Sequence, residues 1–309
     1  MPEIVVAIPT FQRPQGLEKL LHALSELVTD RELQVIVADN DAVGHQGVDL
    51  SNRMKAQGYR WELDAIVVPD RGIAQARNAL VARALADPDT RFIAMLDDDE
   101  WPEPHWLEAL LRVQLQTSAD VVRGSVLRKF ETTPPRWAST WEGIAPIRHA
   151  TGYDGLVEGT GNVFINRKSF EALSRPFFDP QFGLTGGEDR DFFVRLKASG
   201  MRFSHAEDAI AYEYVPAARL SLSWSLMRAY RTGNSDMRIA LKYKRGPADL
   251  IVEIAKIAAA LFAVPVLSIV HCMDPSRRLD GIRKLYRAAG KIGALLGYRY
   301  YEYAAPQYR

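Results

Sequence analysis

Short apolar runs alternate with segments of helical periodicity through the first hundred residues of the chain. The apolar runs predict strands at residues 3–9, 33–38, 65–69 and 92–94. Between them, leucines recur at helical spacing from Leu17 to Leu24, and a further helix is predicted from about Ile73 to Leu85. Strands and helices that alternate at this spacing predict an α/β fold with a mostly parallel, doubly wound central sheet flanked by helices.

The pattern changes after residue 100, where glycines and aromatic residues become more frequent. Residues 163–165 are apolar and predict a buried strand, and two more strands are predicted at 201–205 and 209–216. A helix is predicted to begin at Glu188, because Phe192, Phe193 and Leu196 follow at core-facing positions.

The segment from Leu250 to Met273 is apolar except at four positions, and its longest uncharged run spans 14 residues. A helix that crosses a bilayer needs about 20 apolar residues, so this segment is too short to cross. Tyrosines and six basic residues follow, the latter being Arg277, Arg278, Arg283, Lys284, Arg287 and Lys291. This order favours peripheral contact with an anionic membrane through residues 250–303. The alternative is a buried helix pair that closes a core or a dimer interface.

The composition is typical of a folded globular protein, since 47% of the 309 residues are apolar and 25% are charged. The formal net charge of +1 gives no indication of nucleic-acid binding. Cys272 is the only cysteine, which excludes an internal disulfide framework and a cysteine-based zinc site and is typical of a reducing compartment. Because the first residues predict a strand, we expect no secretory signal and a cytoplasmic protein.

Three consecutive carboxylates, Asp97, Asp98 and Asp99, follow the fourth predicted strand. Adjacent carboxylates repel one another unless a cation lies among them, most simply a divalent metal ion with oxygen ligands. Open α/β sheets bind their ligands at the carboxyl ends of the strands, which is where this stretch is predicted. The alternative is an acidic turn that precedes a helix start at Trp101.

In such a sheet the carboxyl ends of all four strands meet at one crevice. The polar residues predicted there are Thr10 and Arg13, Asp39 and Asn40, Asp70 and Arg71, and the three aspartates. Cations beside carboxylates suit a ligand that has a diphosphate and hydroxyl groups, together with a metal. The chain contains neither a P-loop motif nor a GxGxxG turn after the first strand, which argues against kinases and dehydrogenases.

Two segments in the middle of the chain contain further candidate residues. Glycines between Gly155 and Gly161 allow the backbone to approach a ligand, or they form a turn before the buried strand. Glu188 and Asp189 stand at a predicted helix start behind a glycine-bearing loop. Acidic residues in a first helical turn interact favourably with the helix dipole, and a carboxylate held there is also suited to act as a general base.

Five segments, in this order, resemble the family 2 glycosyltransferases, which have the GT-A fold. The segments are residues 8–13 (IPTFQR), 37–40 (VADN), 71–78 (RGIAQARN), 96–99 (LDDD) and 187–189 (GED). The resemblance extends over about residues 3–235. Residues 293–300 (GALLGYRY) resemble the succinoglycan-type subgroup of bacterial exopolysaccharide glycosyltransferases.

The resemblance implies that the chain binds a nucleotide-sugar, with a UDP-sugar as the expected donor. In particular, Asp39 would accept the uracil N3–H, Asp97 would contact the ribose, and Asp99 would bind Mn²⁺ or Mg²⁺. Asp98 occupies the middle position of this motif, where the family tolerates variation. The donor-binding residues that it implies are Pro9, Thr10, Phe11, Arg13, Asp39, Asn40, Arg71, Arg77, Asp97 and Asp98.

On the acceptor side, the resemblance implies that Asp189 is the general base, with Gly161, Asn162 and Glu188 nearby. The acceptor would be a saccharide hydroxyl, and a lipid-linked saccharide would account for a membrane-facing tail. The QxxRW signature of processive members is absent, which favours transfer of one sugar per encounter. Glu213 stands about where many relatives have a histidine near the metal, so whether Glu213 or His205 approaches the metal is left open.

These features predict a nucleotide-sugar-binding half at 1–100, an acceptor-binding half at 101–235 and a C-terminal helical extension at 236–309. The expected location is the cytoplasmic face of the inner membrane, as a peripheral protein. One alternative is a sugar-phosphate nucleotidyltransferase, which usually has a glycine-rich basic loop after the first strand, whereas here no glycine occurs there before Gly16. The other is a non-catalytic sugar-binding protein of the same fold, against which the intact acidic motifs argue.

Overall fold

The computed structural model describes residues 2–141, 144–244, 246–270 and 275–302. The strands in these ranges are β1 (Ile4–Thr10), β2 (Leu33–Asp39), β3 (Glu62–Val67), β4 (Phe92–Met95), β5 (Glu100–Pro102), β6 (Val121–Phe130), β7 (Val163–Asn166) and β8 (Phe203–Val215). They form one sheet in the order β3-β2-β1-β4-β7-β6-β8-β5.

Helices connect and flank these strands. The α-helices of the described ranges are α1 (Pro14–Ser25), α2 (Gln46–Ala56), α3 (Ile73–Leu85), α4 (Trp106–Thr117), α5 (Arg167–Glu171), α6 (Glu188–Ala198), α7 (Leu222–Tyr243), α8 (Pro247–Val270) and α9 (Pro275–Leu295). Short 3-10 helices lie at Arg136–Thr140, Pro180–Phe182 and Ala217–Leu220.

The first four strands form the parallel part of the sheet. β1 lies between β2 and β4 and is parallel to both, with Ile4 opposite Leu33 on one side and Phe92 on the other. All of β1 is buried, as expected for a central strand covered on both faces. The predicted α/β fold is therefore confirmed, although β3 begins at Glu62, upstream of the predicted start at Ala65.

The other four strands make the sheet mixed. β7 is antiparallel to both β4 and β6, and β5 is antiparallel to β8. β8 is a single strand where two short strands are predicted from the sequence. The helix start predicted as an alternative at Trp101 is wrong, because residues 100–102 form β5 and the helix begins at Trp106.

Side chains alternate between the two faces of the central strands, and each face has its own core. Val6 of β1 packs in the core that contains Leu20 of α1 and Trp106 of α4. Val5, its neighbour, packs in the core that contains Leu80 of α3 and Phe192 of α6. Helices α3 and α6 therefore cover the same face of the sheet.

The chain forms two compact units. The first comprises residues 1–129, 146–183 and 188–214 and contains the sheet with its flanking helices. The second comprises residues 130–145, 184–187 and 215–309 and contains α7, α8 and α9. The predicted limits at residues 100 and 235 concern functional halves and stay predictions.

Within the second unit, α7 and α9 approach closely at two glycines. A Cβ on Gly233 would lie 1.9 Å from the carbonyl oxygen of Arg287, and one on Gly290 would lie 2.0 Å from that of Tyr230. In the part of α8 whose side chains the structure describes, a packing stripe of Leu250, Ile257 and Ala260 contacts residues of α7 and α9, and Val264 is buried as well. None of the helices in the described ranges has both the length and the apolar character of a bilayer-spanning segment.

Candidate active site

The three aspartates after β4 lie beside the loop that follows β1. The Asp98 carboxylate accepts hydrogen bonds from Thr10 Oγ1 at 2.9 Å, from the Phe11 amide at 3.4 Å and from Arg13 Nη1 at 3.1 Å. Asp98 is 6% exposed, and burial raises the pKa of this carboxyl to about 6 although Arg13 opposes the shift. Asp98 thus anchors the loop after β1.

Asp97 and Asp99 are each held by an arginine. Arg13 Nη1 also lies 3.0 Å from Asp99 Oδ2, so the same guanidinium contacts two of the aspartates. Arg77 Nη2 donates to Asp97 Oδ1 at 3.0 Å. We call the five residues Arg13, Arg77, Asp97, Asp98 and Asp99 the aspartate edge.

Arg77 connects the aspartate edge to the start of α6. Its other terminal nitrogen, Nη1, forms an ion pair with the carboxylate of Glu188. Arg77 and Glu188 are 5% and 3% exposed, so this is a buried contact between α3 and α6. Asp189 follows Glu188 directly, and its Oδ1 accepts the Arg190 amide at 2.7 Å. Asp189, the predicted general base, therefore follows directly after Glu188, which shares its arginine partner, Arg77, with Asp97.

Asn40 holds the loop between β3 and α3. Its Nδ2 donates to the carbonyl oxygens of Val68 and Asp70, and its Oδ1 accepts the Gly72 amide at 2.6 Å. Gly72 has φ of 144°, a conformation that favours glycine. The loop places the Arg71 guanidinium 4.6 Å from the centre of the Phe11 ring, within cation–π distance.

Asp39 is less exposed than the other polar residues predicted to bind the donor. Its carboxylate is fully buried and accepts the backbone amides of Asp41, Gly47 and Val48 at 2.7–3.2 Å, which stabilises the start of α2. Pro9 lies within β1, opposite Ala38. Contact of either residue with a nucleoside stays a prediction.

Glu100 continues the acidic run into the interior. It is 3% exposed, and its Oε2 accepts the Asp97 amide at 3.0 Å. Burial, with the nearby Asp97 charge, raises the pKa of Glu100 to about 8. A Cβ on Gly161 would lie 2.5 Å from Glu100 Oε1, so this position accommodates only glycine unless Glu100 moves.

Asn162, which the family resemblance places on the acceptor side, is fully buried. Its Nδ2 donates to the carbonyl oxygens of Ser125 and Ala209, and its Oδ1 accepts from Trp106 Nε1 at 2.6 Å. These contacts hold β7 against β6 and β8. A role of Asn162 in acceptor binding stays a prediction.

Glu213 and His205 occupy different surroundings on β8. The Glu213 carboxylate forms an ion pair with Arg128, while the amide of the next residue, Tyr214, donates to the Asp99 carbonyl oxygen at 3.0 Å. His205 is 2% exposed, and its ring meets that of His149 edge-on at 5.0 Å. The side chain of Glu213 is thus engaged by an arginine.

The oxygen donors of the aspartate edge are of the type that Mg²⁺ and Mn²⁺ prefer. Asp97 and Asp99 are both partly accessible, with 39% and 18% of their side chains exposed. No group of three His, Cys, Asp or Glu side chains that could hold a metal occurs among the described residues. The residues fit an ion that takes one or two carboxylates and completes its shell with diphosphate oxygens and water.

Arg123 is a residue of this region that was not predicted from the sequence. It lies on β6, 9% exposed, and its charge interacts most strongly with those of Glu100 and Asp189. Burial is the main cause of its lowered pKa. In the sequence, Arg123 is one charged residue that follows the apolar residues Val121 and Val122. Half-exposed strands often contain such a residue, so this pattern alone does not identify a site.

Comparison with known sequences agrees with this geometry. Residues 5–176 match the family described as Glycosyl transferase family 2. The succinoglycan biosynthesis protein ExoM of Rhizobium meliloti is 32% identical over 254 residues, which cover 79% of this chain and 77% of ExoM. The putative glycosyltransferase EpsH of Bacillus subtilis is 22% identical over 302 residues, covering 95% of this chain and 83% of EpsH.

Solved structures share the fold at low sequence identity. The mannosyltransferase PcManGT from Pyrobaculum calidifontis, in complex with GDP-Man and Mn²⁺, superposes with a TM-score of 0.64 at 16% identity, over 96% of this chain and 88% of that one. TarS 1–349 of S. aureus, in complex with UDP, gives a TM-score of 0.51 at 13% identity, over 96% of this chain and 93% of that one.

Proposed function

The chain belongs to glycosyl transferase family 2, and we propose that it transfers a single hexose from a nucleotide-sugar to a saccharide hydroxyl with inversion of the anomeric centre. A UDP-sugar is the proposed donor. The biosynthesis of a bacterial polysaccharide is the proposed context, because ExoM is named for succinoglycan biosynthesis. The absence of a QxxRW motif supports one transfer per encounter.

One observation supports this proposal above all others. Arg77 contacts Asp97 with one terminal nitrogen and Glu188 with the other, which brings the strand-end aspartates to the first turn of α6. A displacement at an anomeric carbon needs a site for the leaving diphosphate and a base for the attacking hydroxyl. The aspartate edge and Asp189 supply these two parts within one unit of the protein.

Asp189 is proposed to take the proton of the acceptor hydroxyl as its oxygen attacks the anomeric carbon. The bond from that carbon to the diphosphate breaks, and the nucleoside diphosphate leaves on the opposite face. A single displacement of this kind turns an α-linked donor into a β-linked product. A positioned base contributes roughly 10²–10⁴-fold to such a reaction, and holding both substrates together contributes further.

Asp99, with Asp97 beside it, is proposed to hold Mn²⁺ or Mg²⁺. When bound, such an ion supplies Lewis-acid neutralisation of the charge on the leaving diphosphate. The Mn²⁺ in the mannosyltransferase complex supports a metal in this fold. Asp98 is proposed to act indirectly, because it fixes the Thr10–Arg13 loop from a buried position.

On the donor side, Arg71 and Phe11 are proposed to lie against the nucleoside. Their cation–π contact forms a flat surface at the carboxyl ends of β1 and β3. Asn40, which fixes that loop through three hydrogen bonds, is proposed to position this surface. Asp39 remains the proposed acceptor of the uracil N3–H.

A lipid-linked saccharide is the proposed acceptor, on the cytoplasmic face of the inner membrane. Supporting this, α8 exposes apolar side chains outside its packing stripe, namely Ile251, Val252, Ile254, Leu261 and Phe262. The described basic residues of α9 support it less, because Arg287 and Lys291 pair with Asp236 and Glu253, and Arg283 and Lys284 share Asp280. The side chains of Arg277 and Arg278, residues 271–274 and Tyr303 lie outside the described residues.

Vesicle sedimentation tests the membrane contact. Wild-type protein is expected to sediment with vesicles that contain phosphatidylglycerol, and Phe262→Ser to sediment less. Leu115→Ser is the matched control, since Leu115 is also exposed but lies on α4 of the other unit. Equal sedimentation of Phe262→Ser and wild type would refute contact through α8.

A donor screen tests the reaction itself. Purified protein is incubated with UDP-, GDP- and dTDP-sugars, with and without Mn²⁺, and with a lipid-linked oligosaccharide extract as acceptor. Release of a nucleoside diphosphate that depends on acceptor and is lost in EDTA is expected. Release of pyrophosphate instead would identify a nucleotidyltransferase, and release of neither product would favour a non-catalytic sugar-binding protein.

A further inference from the structure

Arg123 is a buried cation that lacks a direct partner in the described part of the chain. It is 9% exposed, and its guanidinium makes no hydrogen bond and no ion pair within 4.0 Å with the described residues. Its Nε is fully shielded from solvent. The charges of Glu100, Asp189, Glu158 and Asp97 act on this guanidinium without contacting it directly. A buried polar group is costly unless it is hydrogen-bonded, so an arginine in this state is suited to a ligand that supplies a direct hydrogen-bonded contact.

His205 lies beside Arg123, on the neighbouring strand β8. β6 and β8 are neighbours in the sheet, and the Val121 amide donates to the Arg202 carbonyl oxygen at 3.1 Å. Val121 and Phe203 pack in the same core, and side chains alternate along a strand, so Arg123 and His205 share that face. The Nε2 of His205 has no hydrogen-bond partner among the described residues.

The electrostatics of His205 agree with this proximity. Burial, His149 and Arg123 together lower its pKa to about 4, so the ring is neutral in the free protein at neutral pH. The hydroxyl of Thr160, in the glycine-rich segment before β7, is also buried without a partner in the described residues. We call Arg123 and His205 the Arg123 cluster.

The guanidinium lies close to the proposed base. A Cβ built on Gly159 would be 3.6 Å from Arg123 Nη2 and 3.6 Å from Asp189 Oδ2. Both groups therefore border the same backbone position. Their charges attract each other, and the described residues show no ion pair between the two side chains. An acceptor whose hydroxyl reaches Asp189 would place its neighbouring substituent next to Arg123.

We propose that Arg123 and His205 form a subsite for an oxyanion, a carboxylate or a phosphate, on the acceptor saccharide. An arginine fork binds either group through two parallel hydrogen bonds, and His205 Nε2 supplies a third contact. The donor diphosphate is assigned to the aspartate edge, which has its own arginines. The subsite rests on the proposed function, since it is defined by its position beside the base.

Isotope labelling of the six histidines allows a direct binding test on the 309-residue chain. The ring signal of His205 is identified by its loss in His205→Gln. The protein is first saturated with UDP and Mg²⁺, and then titrated with glucuronate, with inorganic phosphate or with glucose as the neutral counterpart. Glucuronate and phosphate are expected to shift the His205 signal saturably, glucose is not, and Arg123→Gln is expected to abolish the shift.

Kinetics provide the second measurement. With acidic and neutral acceptor saccharides, Arg123→Gln is expected to raise KM for the acidic ones about 10- to 100-fold, the worth of a charged hydrogen-bonded contact. KM for neutral acceptors is expected to stay unchanged, and Arg123→Lys to recover part of the loss. Arg112→Gln, on an exposed arginine paired with Asp208, is the control.

The outcomes separate the subsite from the proposed function. If UDP alone shifts His205 and no anion shifts it further, or if the anion shift persists in Arg123→Gln, the acceptor subsite is refuted. The same follows if nucleotide is released but acidic acceptors are used no better than neutral ones. If no donor releases nucleotide under any condition, the proposed function fails, whatever the His205 signal does.

Discussion

The aspartate edge and the Arg123 cluster lie in the same unit but differ in how their charges are satisfied. At the aspartate edge, Arg13 and Arg77 each contact two carboxylates. In the Arg123 cluster, the buried Nε of Arg123 and the buried Nε2 of His205 have no hydrogen-bond partner in the described residues. A region whose charges are already paired holds its shape before any ligand binds. A region that leaves buried polar atoms without hydrogen bonds is unfavourable until a ligand supplies them.

The largest expected effect concerns Asp189, which lies between the two regions. Asp189→Asn is expected to lower kcat about 10²–10⁴-fold, because Asp189 is the proposed base for the acceptor proton. Donor affinity is expected to stay within twofold of wild type, as measured by nucleotide titration calorimetry. Asp208→Asn, an exposed aspartate of the same unit, serves as the control. Near wild-type transfer by Asp189→Asn would show that the base is another group.

The second prediction breaks the pairing of the aspartate edge. Arg77→Gln breaks the buried ion pair with Glu188 and is expected to lower the free energy of unfolding by about 3–5 kcal/mol in urea titration. Arg83→Gln on the same helix is the matched control. It removes an exposed pair with Asp64 and is expected to cost less than about 1 kcal/mol.

The double variant Arg77→Gln with Glu188→Gln sharpens that test. Because it removes both charges of the buried pair, it is expected to recover part of the lost stability. If the double variant is no more stable than Arg77→Gln, the loss comes from packing and not from an uncompensated charge.

The third prediction concerns the protonation of His205 in the Arg123 cluster. Its lowered pKa means that folded His205 resists protonation between pH 6.5 and about pH 4, while the unfolded chain takes up a proton there. The free energy of unfolding is therefore expected to fall as the pH drops through this window, by on the order of 3 kcal/mol. His205→Gln is expected to flatten this dependence and the exposed His22→Gln to leave it intact. If the free energy of unfolding depends on pH equally in wild type and in His205→Gln, the pH dependence does not come from His205.

The smallest expected effect concerns the rigidity of the aspartate edge. A Cβ on Gly16 of α1 would lie 2.4 Å from the Asp98 carbonyl oxygen. Gly16→Ala is thus expected to displace the aspartates, with a loss of about 1–3 kcal/mol in thermal unfolding and weaker donor binding. Gly246→Ala, where a Cβ would have nothing within 4 Å, is the control. If Gly16→Ala binds the donor as tightly as wild type, donor binding does not depend on the exact position of the aspartates.

The parallel half of the sheet was predictable from the sequence because its strands are continuous apolar runs. β1, β2 and β4 are buried on both faces and lie close to their predicted positions. The approach of Thr10 and Arg13 to the aspartates also follows from parallel strands, whose carboxyl ends share one edge. β6 was not predicted, because Arg123, Arg128 and Lys129 interrupt its apolar pattern.

The contacts that connect the two parts of the site could not be predicted. Arg77 and Glu188 are 111 residues apart in sequence, and no local pattern states which arginine meets which carboxylate. The anchoring role of Asp98 was missed for a similar reason, since three adjacent aspartates look equivalent until their partners are known. Burial of Glu100 depends on β5 pairing with β8, which follows from tertiary structure.

The two-sided contact of Arg77 has a consequence for exchanging parts between related enzymes. One side chain sets the spacing between Asp97, encoded early in the chain, and Glu188, encoded much later. A chimera with a crossover between these positions would combine an arginine from one parent with a carboxylate from the other. Recombination of donor and acceptor segments is therefore expected to yield working hybrids only when the parents share this arginine and both carboxylates.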